Sequence, residues 1–185
     1  MQFRNSTERY GAVALTAHWL TAAFVALGWM LGEFMDAFPR GAARDAALFV
    51  HVSSGLAIIV LVAVRLAWRF ADPPPPLEPT QFGRASELAS KAGHLVLYAL
   101  LIAVTVAGIA TQFARGNPLP IFGIAEIASP WVRDRAFVRS VTGVHETLAN
   151  ALIVLAAFHA VAALAHHYLL RDRTLVRMLP GLRKI

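Results

Sequence analysis

The sequence predicts an all-α membrane protein, a bundle of four transmembrane helices with both termini in the cytoplasm. Three observations carry this expectation. The chain of 185 residues is 57% hydrophobic and only 15% charged, whereas about a quarter of the residues in a soluble domain are charged. The apolar residues fall in four blocks, each near or above the ~20 residues that a helix needs to cross ~30 Å of hydrocarbon. The basic residues divide unequally between the segments that join those blocks.

The elements follow in order. The first ~13 residues, MQFRNSTERYGAV, are polar and carry no cleavable-signal pattern, so the first block is expected to remain as a helix. The four spans are expected at about Ala14–Phe34, Leu48–Phe70, Gly93–Phe113 and Val141–Leu170. Between the second and third, PPPPLEP (Pro73–Pro79) cannot be helical and reads as a stiff polyproline-like link. The longest non-spanning stretch, Ala114–Ser140, holds Pro118, Pro120, Pro130 and Trp131 and is expected to lie on the outer surface as a short amphipathic or lid-like element. No internal repeat is evident, and residues 1–185 read as one four-helix domain.

Charge sets the orientation. Arg4, Arg9, Arg65, Arg69, Arg84, Lys91, Arg171, Arg173, Arg177, Arg183 and Lys184 fall on the side of the termini. Arg40, Arg44, Arg115, Arg133, Arg135 and Arg139 fall on the other, a division of 11 against 6. Cytoplasmic loops carry the excess of Lys and Arg, so both termini are expected in the cytoplasm. The net charge of +6 is therefore explained by membrane topology. No aromatic and basic surface of the kind that reads single strands is present, so no nucleic-acid partner is expected. The absence of cysteine excludes disulfides, thiolate metal sites, iron–sulfur clusters and haem attached through Cys-x-x-Cys-His.

Seven histidines, His18, His51, His94, His145, His159, His166 and His167, carry the chemistry. An ionisable side chain in a span is costly and usually faces the bundle interior with a partner. One such histidine would read as polar glue between helices; several at matching depths do not. His145 and His159 are separated by close to four whole turns, so both leave one helix face, about 21 Å apart along the axis. That spacing suits two stacked haems of b type, one near each surface. Depth alone then pairs His51 with His145 near the outer surface and His18 with His159 near the inner one. His94, at the inner end of the third span, competes with His18 for the inner iron. Two neutral imidazoles per iron leave no open coordination position, which suits electron transfer rather than oxygen binding.

Small and charged residues add to this pattern. Gly32 follows His18, and Gly108 follows His94, at the same interval that separates His145 from His159, so each offers a glycine face at the outer level. Arg65 follows His51 at that interval too and so faces the bundle at the inner level, where it meets either a haem propionate or lipid phosphate. His166 lies two turns beyond His159 and so shares the ligand face; of the last two histidines it is the one expected to look inward, as a proton-handling or quinone-contacting group.

The segments YGAVALTAHWL (Tyr10–Leu20), HVSSGL (His51–Leu56), GHLVLY (Gly93–Tyr98), RGNP (Arg115–Pro118), HETLAN (His145–Asn150) and HAVAALAHHY (His159–Tyr168) together resemble the bacterial cytochrome b561 family over essentially the full chain. The likeness is greatest to its small stand-alone members, which oxidise superoxide and reduce ubiquinone. The resemblance implies a multi-pass protein of the bacterial inner membrane with two haem b groups, ligated by His18, His51, His145 and His159. It also implies ubiquinone as acceptor, with His94 and His166 at the quinone site.

The expected activity is therefore that of an oxidoreductase. Electrons would cross the membrane from superoxide, or another one-electron donor, through the outer and inner haems to a quinone that takes its protons from the cytoplasm. Arg115, Arg133, Arg135 and Arg139 either focus a small anion at the outer haem or face solvent and lipid phosphate. A second expectation keeps the haems but makes the chain a membrane anchor and electron relay for a partner dehydrogenase or hydrogenase.

Overall fold

The structure, a computed structural model, describes residues 2–179. Four long helices account for most of them: α1 (Ala12–Glu33), α2 (Ala42–Ala71), α3 (Gly83–Ala114) and α4 (Arg135–Tyr168). All four are long and apolar enough to cross a membrane. They run up and down, with α1 packed chiefly on α2, α3 on α4, α2 on α3, and only a thin contact closing α4 onto α1. Of the basic residues used to orient the chain, Arg183 and Lys184 lie outside the described residues.

Three helices begin well before the apolar blocks do. At 1.5 Å per residue, the 34 residues of α4 reach roughly 51 Å, far more than the hydrocarbon needs. The additional turns are polar: Arg44 and Asp45 in α2, Arg84, Glu87 and Lys91 in α3, Arg135 and Arg139 in α4. These turns satisfy their backbone internally and extend the bundle into the headgroup region. Asp134 starts α4 as an N-cap, its carboxylate accepting from the Phe137 amide at 2.7 Å. Gly116, at φ 75°, ends α3 in the left-handed conformation that spares glycine a steric cost.

The stretch after α3 contains a small antiparallel hairpin, Leu119–Ile121 (β1) paired with Ala125–Ile127 (β2). The expected surface element is thus a β-ribbon. Its turn places Phe122 at φ 51° and Gly123 at φ 77°, and Gly123 sits against Phe49 of α2. Ile124 and Val132 stay exposed.

Buried apolar residues gather at mid-height. Ile58, Val62, Leu101 and Leu152 form a cluster, with Phe24, Leu97, Tyr98 and Val104 packed on it. Ile58, Leu101 and Leu152 each lie two turns beyond a histidine, His51, His94 and His145 respectively. The cluster therefore separates one histidine level from the other. Hydroxyls nearby are satisfied within their own helices, Thr21 by Ala17, Ser54 by Val50 and Thr105 by Leu101, as a low-dielectric surrounding requires.

At the end of the bundle that carries the termini, three segments are tied together. The Asn5 backbone amide donates to Asp72 Oδ2 at 2.8 Å, and the Asn5 side-chain amide donates to the Asp72 carbonyl at 2.9 Å. Arg177 donates to the Pro76 carbonyl (2.6 Å) and pairs with Glu78 (2.5 Å), both side chains largely buried. Trp19 Nε1 donates to the Met178 carbonyl at 2.7 Å. The N-terminal segment, the proline link and the C-terminal segment thus form one cap.

Candidate functional site

The histidines meet in two groups, one at each end of the bundle. At the end away from the termini, His51 of α2 and His145 of α4 face each other with ring centroids 6.1 Å apart. At the terminal end, His18 of α1 and His159 of α4 are 6.4 Å apart, and His94 of α3 stands 5.3 Å from His159. A ligating imidazole nitrogen sits about 2 Å from its metal, and the ring centroid lies roughly 1 Å further out, so two imidazoles flanking one iron have centroids roughly 6 Å apart. The spacings of His51 with His145 and of His18 with His159 match that figure, whereas that of His94 with His159 falls short of it.

The ring nitrogens add a second constraint. His51 Nδ1 donates to the Gly28 carbonyl at 2.8 Å, and His145 Nδ1 donates to the Val104 carbonyl at 3.0 Å. A proton fixed on Nδ1 leaves Nε2 bare as the metal-binding atom, a common arrangement for ligand histidines. Both carbonyls belong to the neighbouring helix, one turn before a glycine. A Cβ at Gly32 would lie 3.2 Å from His51 Cε1, and one at Gly108 would lie 3.0 Å from His145 Cε1. The two glycines thus clear space for the imidazoles themselves. In this contact α1 with α2 repeats α3 with α4, although no repeat is evident in the sequence.

The terminal end differs. His94 Nδ1 donates to the Ser90 carbonyl of its own helix at 2.7 Å. His18 Nδ1 instead faces Arg65 Nη2 at 3.3 Å, where the guanidinium can only donate. Arg65 also lies over the Tyr98 ring, 5.1 Å from its centroid. It is held inside the bundle at the level of His18 and His159, as its spacing from His51 predicts.

Beyond His159, His166 and His167 separate. His167 is 2% exposed and its Nδ1 has no partner among the described residues. His166, the histidine expected to look inward, is the more exposed of the two and binds Asp172 Oδ2 through Nδ1 at 2.5 Å. The chain turns sharply after α4, with Arg171 at φ 54°, and this turn draws His166 towards the C-terminal segment. Sequence reasoning did not single out Asp172; its separation from His166 offers no helical register to signal it. Burial pushes the Asp172 carboxyl up, but hydrogen bonds from His166 and from the Thr174 amide outweigh it and hold the group below its ordinary value.

At the opposite end Arg115, Arg133, Arg135 and Arg139 line one concave bowl of about 510 Å³ with Thr142 and Glu146, next to His145 in sequence. Four guanidiniums against one carboxylate make it an anion-attracting surface.

No three His, Asp or Glu side chains among the described residues converge to hold a bare metal ion. Two imidazoles per level fit instead an iron whose remaining ligands come from a macrocycle.

Comparison with known proteins agrees. The chain is 34% identical over 185 residues to cytochrome b561 homolog 2 of Escherichia coli (strain K12), covering 97% of this chain and 95% of the relative. It is 34% identical over 180 residues to the probable superoxide oxidase CybB of Yersinia pestis, covering 95% and 98%. It is 30% identical over 179 residues to cytochrome b562 of Cereibacter sphaeroides, covering 92% and 94%. Residues 9–181 match the family described as prokaryotic cytochrome b561. With four membrane-crossing helices and this match over nearly its whole length, the chain belongs to the prokaryotic cytochrome b561 family, whose members are multi-pass membrane proteins that bind haem b and transfer electrons.

Proposed function

We propose that this protein is a di-haem superoxide:ubiquinone oxidoreductase of the bacterial inner membrane, with both termini in the cytoplasm. His51 and His145 would hold the outer haem, and His18 and His159 the inner one. The pairing rests on centroid spacings of 6.1 and 6.4 Å and, for the outer pair, on the Nδ1 donors that leave Nε2 bare. Bound haem b supplies reversible one-electron chemistry at an iron with no free position. The residues do the rest. Arg115, Arg133, Arg135 and Arg139 draw a small anion towards His145. Arg65 places a positive charge beside the inner pair, where a propionate is its natural partner. His94 and His166 flank the inner level, where ubiquinone would take up electrons and cytoplasmic protons.

The observation that carries superoxide as donor is the four-arginine bowl that Glu146, the residue after His145, also lines, and the likeness to a probable superoxide oxidase supports it. The test is a visible spectrum of the oxidised, detergent-purified protein before and after a pulse of superoxide. Rapid appearance of reduced b-haem bands, reversed by added ubiquinone, is the expected result. Bands that respond to a chemical reductant but not to superoxide would overturn it.

A second reading, an electron relay for a partner dehydrogenase or hydrogenase, draws on the exposed apolar side chains Ile124 and Val132 in the segment between α3 and α4. It predicts co-purification with a soluble partner and no reaction with superoxide.

A further inference from the structure

α4 carries a functional face beyond its ligand histidine. His166 lies two turns past His159 on that face, about 10 Å further along the axis. It is a group suited to proton traffic, because an imidazole nitrogen can both donate and accept a proton. The chain beyond it then takes a costly path. Arg171 adopts φ 54°, a conformation that is sterically unfavourable for a residue with a side chain. The resulting turn brings the Asp172 carboxylate onto His166 Nδ1 at 2.5 Å, and the Asp172 amide donates to the His166 carbonyl at 3.1 Å.

Both carboxylate oxygens are engaged. Oδ2 meets His166, and Oδ1 accepts from the Thr174 amide at 2.8 Å. The Asp172 side chain is 12% exposed. The neighbouring cations are occupied elsewhere: Arg173 turns to Glu8 at 3.5 Å, and Arg177 to Glu78 at 2.5 Å. Neither cation pairs with the carboxylate, whose partners are the imidazole and the Thr174 amide.

Asp172 also lines a cavity of about 210 Å³ at the terminal end, with Pro79, Thr80, Gln81, Leu169 and Leu170. Thr80 Oγ1 is buried and has no partner among the described residues. A polar cavity of this size has room for water beside Asp172, and the His166 side chain is itself 25% exposed, so solvent has access to both members of the pair.

We infer that Asp172 is a positioning residue for protonation of the quinone, holding His166 with its proton on Nδ1 so that Nε2 passes solvent protons to the quinone oxygen. This inference rests on the reading that the terminal end reduces quinone. Each turnover consumes two electrons from the one-electron donor at the opposite end and two protons from solvent, converting quinone to quinol. In each transfer the imidazolium loses its Nε2 proton to the quinone oxygen and regains one from water. Asp172 remains a carboxylate throughout, stabilising the imidazolium as carboxylate–histidine pairs do in general acid–base catalysis.

The experiment compares the wild-type protein with Asp172→Asn and Asp172→Glu, all carrying haem. Asn keeps the size of the side chain and loses the charge. The expected result for Asp172→Asn is a maximal rate of quinone reduction lowered at least 10-fold, with the quinone KM within 2-fold of wild type, unchanged haem spectra and an undiminished rate of haem reduction from the donor side. Asp172→Glu recovers at least half of that loss on a logarithmic scale. Separately, 15N-histidine NMR of the protein without quinone reads the His166 tautomer, expected as Nδ1–H in wild type and as a mixture in Asp172→Asn. A wild-type rate in Asp172→Asn would overturn the inference, as would a loss expressed only in KM or accompanied by haem loss. An unaltered His166 tautomer would do the same. A wild-type protein that never reduces quinone would instead sink the underlying reading, and the NMR comparison would still report on the pair.

Discussion

The imidazole of His145 occupies the space that a side chain at residue 108 would need: a Cβ on Gly108 would lie 3.0 Å from its Cε1. His51 and Gly32 repeat the relationship at 3.2 Å. Each glycine is thus a condition for the histidine opposite it.

Gly108→Ala is therefore expected to displace His145, strain its hydrogen bond to Val104 and cost about 1–3 kcal/mol, as overpacking does. Gly32→Ala meets its histidine at 3.2 Å rather than 3.0 Å and should be the milder change. Haem content and thermal stability of the two variants check the ranking; equal, wild-type behaviour in both would contradict it.

His51→Ala and His145→Ala should each remove one haem and leave the other. Two haems retained in either variant, measured by haem extraction against protein concentration, would refute the pairing. At the terminal end, His18→Ala and His159→Ala should lose the second haem while His94→Ala keeps both, because the 5.3 Å spacing of His94 from His159 is short for two ligands of one iron.

Arg65 brings a positive charge to within 3.3 Å of His18 Nδ1. Its replacement by Gln should lower the potential of the inner haem by on the order of tens of millivolts, since the charge disfavours the oxidised iron. A redox titration that resolves the two centres provides the check, and the outer centre should move far less.

Reversing the field of the arginine bowl tests the donor side. Arg115→Glu with Arg139→Glu should slow haem reduction by superoxide roughly 10-fold or more at low ionic strength, and the difference should shrink as salt rises. A neutral one-electron reductant should react with both proteins alike.

The folded Asp172 carboxyl titrates below its ordinary value of 3.8. Its contribution to the turn after α4 is thus fully present above that value and fades only as pH falls through the lower, folded one. The protection factor of the Thr174 amide in hydrogen exchange should hold across neutral pH and fall only in strong acid.

Much of this arrangement was legible in the sequence because helices are periodic. One interval, close to four whole turns, placed His145 with His159, Gly32 above His18 and Arg65 below His51. The bundle brings the histidines to two levels as expected. Hydropathy reported where lipid lies but not where helices end, so it missed the polar first turns of α2, α3 and α4. The hairpin after α3 was hidden because its strands are too short for an alternating pattern. Asp172 was hidden for a different reason: its approach to His166 depends on one left-handed residue, Arg171, that no periodicity announces.

The cap at the terminal end has a consequence for biogenesis. Its ties join Asn5 to Asp72, Arg177 to Pro76 and Glu78, and Trp19 to Met178. Two of the three fastenings need residues that follow α4 and so are synthesised after all four helices. Closure of that end therefore follows insertion, and a chain cut short just before Arg177 would insert all four helices yet lose the ties to Pro76, Glu78 and Trp19, keeping only the Arg173–Glu8 pair between its two ends.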